Sequence, residues 1–281
     1  MSAGPGFPPL TLLYAPGDRP EVVGKALRSG ADVVLIDLED AVAPDRKDYA
    51  RAATAERLSE HPPVPIHVRV NALDSPWADA DLAALPALPG LSGLRLPKVT
   101  SPSDVVQVAR RAARATGGAV PLYALLETAL GVERAYTIAS AHPALRGIAL
   151  GEADLRADLG VREDAGLDWS RARVVVAARA AALPPPAQSI YPDIRDLQGL
   201  AASCAHGRTL GFLGRAAIHP RQLPVIERAY APTTEEISWA EEVLKAAARE
   251  AGALALPDGR FVDTAVVREA HTTLSLARRR R

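Results

Sequence analysis

Eight short apolar runs recur along this chain, and a helix-forming stretch follows each of them. They are TLLYAP (11–16), DVVLID (32–37), PIHVRV (65–70), GLRLPK (93–98), VPLYALLE (120–127), RGIALG (146–151), AQSIY (187–191) and GFLGRAAI (211–218). Strands separated by helices pair in parallel, with the helices packed outside the sheet. Eight such units predict an α/β fold, a (β/α)8 TIM barrel, with a doubly wound open sheet as the alternative. No G-x-G-x-x-G follows the first run, which counts against a Rossmann-type site. A length of 281 residues suits one closed barrel. The spacing predicts a barrel over 1–230 and a C-terminal helical extension over 231–281, opening with the amphipathic TEEISWAEEVLKAAAREAGA. Among the barrel helices, PEVVGKALRSG starts with proline and ends in glycine, and SPSDVVQVARRAARATGG takes Ser103 as its N-cap.

Composition narrows the function classes. The formal net charge is zero, so no global field points to nucleic acid or an anionic membrane. The first residues lack a basic segment followed by an apolar one, and VVVAARAAAL (174–183) is too short to span a bilayer. The single Cys204 cannot form an internal disulfide, which suits a reducing cytoplasm. The terminal RRRR is expected to be a solvated tail.

In a barrel of this kind the chemistry lies at the C-terminal ends of the strands. Those ends carry Asp37, Glu39 and Asp40, then Arg69 and Asn71, Lys98, Glu127, and finally Glu152 and Asp154. Cations facing several carboxylates suit an anionic substrate together with a hard divalent cation such as Mg²⁺. Taken singly, each acid could instead cap the following helix. Lys98 could serve as a Schiff-base nucleophile or pair with a nearby acid. The six histidines show no metal-ligand spacing, and His219 is expected to make a structural hydrogen bond. A G-x-S-x-G elbow and a P-loop are both absent from the sequence.

APGDRPE (15–21), LIDLEDAVAPDRK (35–47), VRVN (68–71), LPKV (96–99), LLETALGV (125–132), GEADLRADLG (151–160), GFLGRAAIHPRQ (211–222) and GRFVDTAVV (259–267) follow one another in order. This series resembles the citrate lyase β-subunit-like proteins of the HpcH/HpaI aldolase/citrate lyase family. The resemblance implies a TIM barrel, assembled as a homotrimer or hexamer, that cleaves or forms a C–C bond in a 3-hydroxyacyl thioester. It implies Mg²⁺ bound by Glu127 and Asp154, a substrate carboxylate gripped by Arg69, and CoA phosphates met by Arg19 and Lys25. It also implies that Asp263, on an extension packed against a neighbouring subunit, reaches that subunit's site as a proton donor. Glu39 and Asp40 are then expected behind the metal, accepting hydrogen bonds from its waters and balancing Arg69. Asp37 is expected to pair with Lys98 or another interior cation.

The chain departs from the family pattern at Leu130, where arginine is usual, at Ala153, where glutamate is usual, and at Arg215, where lysine is usual. These departures leave substrate preference open. The expected activity is Mg²⁺-dependent cleavage of a malyl-, citramalyl- or citryl-type CoA ester into a 2-oxo acid and an acyl-CoA. The alternatives are a thioester hydrolase on the same site, a subunit that needs an acyl carrier protein, and a Schiff-base aldolase through Lys98.

Overall fold

The computed structural model describes residues 9–248, 254–255 and 260–278. The first eight residues, the end of the expected helix at 249–253, and all of the terminal arginines except Arg278 lie outside them. Two compact units form, one over Pro8–Ala229 and one from Tyr230 onward.

The larger unit is built on parallel strands β1 (Thr11–Pro16), β2 (Val33–Asp37), β3 (Ile66–Arg69), β4 (Leu91–Leu96), β5 (Leu122–Leu126), β6 (Leu145–Leu150) and β7 (Arg215–Ala217). Their spatial order is β6-β5-β4-β3-β2-β1-β7. Every residue of β2 is buried, as expected of a parallel strand covered on both faces. Helices α1 (Pro20–Ala26), α2 (Lys47–Leu58), α3 (Ala78–Ala84), α4 (Pro102–Thr116), α5 (Ala129–Glu133), α6 (Ala135–Ala139), α7 (Glu152–Leu159), α8 (Asp168–Ala180), α9 (Leu197–Thr209) and α10 (Leu223–Tyr230) connect and flank them. Residues from all seven strands line one common cavity, so the sheet curls around it.

The expected eight-stranded closure is corrected here. The seventh run contributes a single bridge, Gln188 to Arg215, in place of a strand. Its entry is Pro184, Pro185 and Pro186, and proline has no N–H to give to a ladder. The segment still hydrogen-bonds toward β7, through Gln188 N to Gly214 O at 2.9 Å and Ala216 N to Gln188 O at 3.0 Å. Toward β6 lies a void of about 60 Å³ between Arg146–Ala149 and Pro184–Ala187. A second correction concerns α4, whose cap is Ser101. Its side chain accepts from Asp104 N while Asp104 accepts from the Ser101 backbone, a reciprocal box that Ser103 cannot make.

In the smaller unit, α11 (Thr234–Ala247) starts at Thr233, which forms a reciprocal cap with Glu236. The short antiparallel pair β8 (Leu254–Ala255) and β9 (Phe261–Val262) precedes α12 (Thr264–Arg278). Ala240, Val243, Val262 and Ala270 form its core.

Candidate active site

The cavity at the C-terminal ends of the strands has a volume of about 350 Å³. Its charged lining is Asp37, Asp40, Glu127, Glu152 and Asp154 against Arg69 and Arg95. The rest is largely apolar, with Leu12, Leu125, Ala149, Ala187 and Ile218 among the walls.

After β2 every acid has a cation beside it. Asp37 takes both Arg69 Nε and Nη2 at 2.7 Å, a planar two-point pair. The same carboxylate accepts the backbone N–H groups of Glu39 and Ala41 at 3.0 Å, which folds the turn beyond the strand. Arg69, not Lys98, is thus the interior cation that Asp37 meets. Arg69 Nη1 stands 3.2 Å from both Glu39 Oε2 and Asp40 Oδ2. Lys98 Nζ donates to Glu39 Oε1 at 2.9 Å. Burial raises the Glu39 carboxyl, while Arg69 and Lys98 pull against that rise. Its Oε2 lies in charge contact with Arg69 but without a hydrogen bond.

Across the cavity the arrangement reverses. Glu127 is 3% exposed at the end of β5. Its Oε1 accepts from Lys98 N at 3.2 Å. Lys98 holds that position with a left-handed backbone, φ 52°, a strain of order 1 kcal/mol for a non-glycine residue. Burial, and next a hydrogen bond with Asp154, push the Glu127 carboxyl up to about 8. Asp154 belongs to the first turn of α7. A buried acid that holds its proton beside a second, exposed carboxylate forms a natural seat for a cation, which would replace that proton. Oxygen donors of this kind fit Mg²⁺, which keeps its other positions for water and substrate oxygens. Among the described residues no group of three or more histidine, cysteine, aspartate or glutamate side chains forms a closed cation cage.

Several supports were invisible in the sequence. Arg171, 2% exposed on α8, clamps Glu152 through Nε to Oε1 at 3.0 Å and Nη2 to Oε2 at 2.6 Å. Glu152 is therefore committed to Arg171, which leaves Asp154 as the partner of Glu127. Lys47 donates to the carbonyls of Leu38 and Glu39 at 2.7 and 2.6 Å, fixing the turn that carries Glu39. Asp81 holds Asn71 through both its backbone N–H and its side-chain amide. Gly151 is required by the site itself, because a Cβ there would lie 2.6 Å from Glu127 Cδ. The only local signal for Arg171 and Lys47 was a charged residue on the buried side of a helix.

The remaining candidates stand elsewhere. Arg19 precedes α1 and Lys25 lies in its last turn, both exposed and neither lining the cavity. Asp263 accepts from Ala265 N and Val266 N at 2.8 and 3.0 Å, so within its own chain it caps α12. His219 accepts from Arg221 N at 3.1 Å, a structural bond. Arg215 is buried against Ser203, Gln188 and Cys204 outside the cavity and ties the proline-led segment to α9. Leu130 is exposed, and Ala153 lines the cavity.

The profile of the HpcH/HpaI aldolase/citrate lyase family matches residues 10–220. A (3S)-malyl-CoA thioesterase from Cereibacter sphaeroides is 36% identical over 276 residues, covering 95% of this chain and 94% of the relative. The citrate lyase subunit beta of Escherichia coli is 36% identical over 282 residues, covering 95% and 92%. The crystal structure of CitE from Mycobacterium tuberculosis in complex with magnesium, acetoacetate and coenzyme A superposes with a TM-score of 0.80 at 34% identity, covering 97% of this chain and 98% of that one. No helix among the described residues is long and apolar enough to cross a membrane. The chain belongs to the HpcH/HpaI aldolase/citrate lyase family.

Proposed function

We propose that this protein is a Mg²⁺-dependent carbon–carbon lyase that cleaves, or forms, a 3-hydroxyacyl-CoA thioester of the malyl, citramalyl or citryl type. The observation that carries this reading is that the buried Glu127 lines one small cavity together with Asp154 and Arg69. Glu127 and Asp154 hold the metal. When bound, Mg²⁺ supplies Lewis acidity that favours loss of the substrate hydroxyl proton and the growth of a 2-oxo group.

The chain's own residues do the rest. Asp37 fixes Arg69 through the Nε and Nη2 edge, which leaves Nη1 on the cavity side between Glu39 and Asp40. The substrate carboxylate displaces the exposed Asp40 from that position and pairs with Arg69. Glu39 and Asp40 balance the charge of Arg69 and accept hydrogen bonds from water in the site. As the C–C bond breaks, the hydroxyl passes its proton to water in the site and the electron pair of the broken bond moves onto the thioester fragment. That carbon then takes a proton, which we assign to Asp263 of a neighbouring copy in a homotrimer or hexamer. Arg19 and Lys25, both exposed, meet the CoA phosphates outside the cavity.

A thioesterase outcome is the second reading, favoured by the 36% identity to the malyl-CoA thioesterase. Product analysis on malyl-, citramalyl- and citryl-CoA with Mg²⁺ decides between them. A lyase yields a 2-oxo acid and an acyl-CoA, whereas a hydrolase yields free CoA and the hydroxy acid. Turnover only on carrier-protein esters would instead mark a carrier-dependent subunit.

A further inference from the structure

Arg95 is a buried cation with no acid beside it among the described residues. It lies on β4 in register with Arg69 on β3 and Tyr123 on β5. Residues in register on parallel strands share a face of the sheet. The side chain is 7% exposed. Among the described residues it makes no ion pair, and its Nε has no hydrogen-bond partner. Its guanidinium stands 5.2 Å from the centre of the Tyr123 ring. That ring fits because the neighbouring strand carries Gly147, where a Cβ would come within 3.1 Å of it.

Among the described residues the other buried arginines are better matched: Arg215 also lacks an acid, but its Nη1 donates to Ser203 and Gln188. Arg69 is matched by Asp37, Glu39 and Asp40, and Arg171 by Glu152, Asp164 and Asp168. Stacking on Tyr123 offsets only part of the cost of burying an uncompensated guanidinium. Arg95 also occupies a particular place, lining both the large cavity and the void beneath it. It is the charged part of the floor. Above it, Leu125 and Ala149 form an apolar layer between the floor and the rim that carries Glu127. A volume of about 350 Å³ suits a small acid and is too small for a whole CoA.

Resting on the lyase reading, we infer that Arg95 forms a second anion subsite and selects a dicarboxylic 2-oxo acid fragment. One carboxylate and the 2-oxo group stay at the Arg69, Glu127 and Asp154 end. The methylene spacer lies against the Leu125 and Ala149 layer, and the distal carboxylate reaches Arg95 as a charge-assisted pair. A monocarboxylic fragment would leave the floor cation unmatched. Arg95 is thus a specificity residue rather than a participant in bond breaking.

Calorimetric titration of the full-length protein with Mg²⁺ tests this, using pyruvate, oxaloacetate and 2-oxoglutarate as probes. At least one dicarboxylate should bind the wild type about tenfold more tightly than pyruvate, the scale of one charged hydrogen-bonded contact. Arg95→Met should erase that preference and leave pyruvate binding unchanged, and Arg95→Lys should keep part of it. Thermal unfolding should show Arg95→Met at least as stable as the wild type, because an unmatched buried charge is removed. Equal binding of all three acids by the wild type, or a preference that survives Arg95→Met, would overturn the subsite. If none of the three acids shows Mg²⁺-dependent binding, the lyase reading falls and takes the subsite with it. Mg²⁺-dependent pyruvate binding without a dicarboxylate preference removes the subsite alone.

Discussion

Two acid clusters face each other across the cavity, and their carboxylates live under opposite conditions. After β2, Asp37, Glu39 and Asp40 surround Arg69 and Lys98, so each negative charge is answered by a positive one. After β5 and at the start of α7, Glu127 and Asp154 form no ion pair among the described residues, and Glu127 has only the Lys98 backbone N–H to answer it besides Asp154. The first cluster is complete as folded. The second needs a proton or a cation to be complete, and that is what separates a scaffold from a binding site when both are made of the same residue type.

Substitutions should split along that line. The largest loss of activity is expected for Glu127→Gln, which leaves one of the two carboxylates proposed to hold the metal; Mg²⁺-dependent turnover should drop by roughly a thousandfold or more. Its stability should be unchanged or higher, since a buried acid becomes a neutral amide. Near-native turnover of Glu127→Gln would break the comparison. Asp37→Ala should do the reverse, stranding the buried Arg69 and costing about 3–5 kcal/mol in denaturant unfolding. A shift below about 1 kcal/mol would show that Arg69 finds other partners.

The proton held by Glu127 gives a pH signature. Its carboxyl titrates near 8 in the folded metal-free chain against 4.5 for an ordinary glutamate. The folded state therefore binds the extra proton between these values. Its stabilising contribution is full below 4.5 and is lost as pH rises through 8. Mg²⁺ affinity should rise over the same window, because the cation competes with that proton. Unfolding followed against pH, in wild type and Glu127→Gln, should show this slope only in the wild type.

Smaller effects sharpen the picture. Gly151→Ala inserts a methyl group against Glu127 and should lower stability by about 1–3 kcal/mol, with weaker Mg²⁺ binding in the same titration. Lys98→Met removes an ion pair whose lysine side chain is 43% exposed, and the expected change in stability is below about 1 kcal/mol. Borohydride with pyruvate should leave Lys98 unmodified by mass spectrometry, since the lysine is paired as a cation with Glu39.

The sequence carried the strands and the identity of the rim acids, because apolar runs and the residues that end them are local properties. β1 was legible to the residue, and the other laddered strands to within a few positions. The seventh run failed because apolar content does not report whether the backbone can donate, and three prolines before it withhold that capacity. Pairing was legible only by type. That Asp37 meets Arg69 and Lys98 meets Glu39 depends on strand register, which places Asp37 beside Arg69 on neighbouring strands. Arg95 passed unnoticed inside GLRLPK because its importance lies in what is missing around it, and absence of a partner has no local signature.

The central claim is that Glu127 and Asp154 await a cation, whereas the acids around Arg69 do not. Titration of Mg²⁺ at pH 7 in buffers of different ionisation enthalpy measures it directly, since it counts the protons released on binding. The wild type should bind Mg²⁺ and release about one proton per ion, Glu127→Gln should lose both the binding and the release, and Asp40→Asn should keep both. Equal Mg²⁺ affinity in the wild type and Glu127→Gln, or loss of binding in Asp40→Asn alone, would contradict the account.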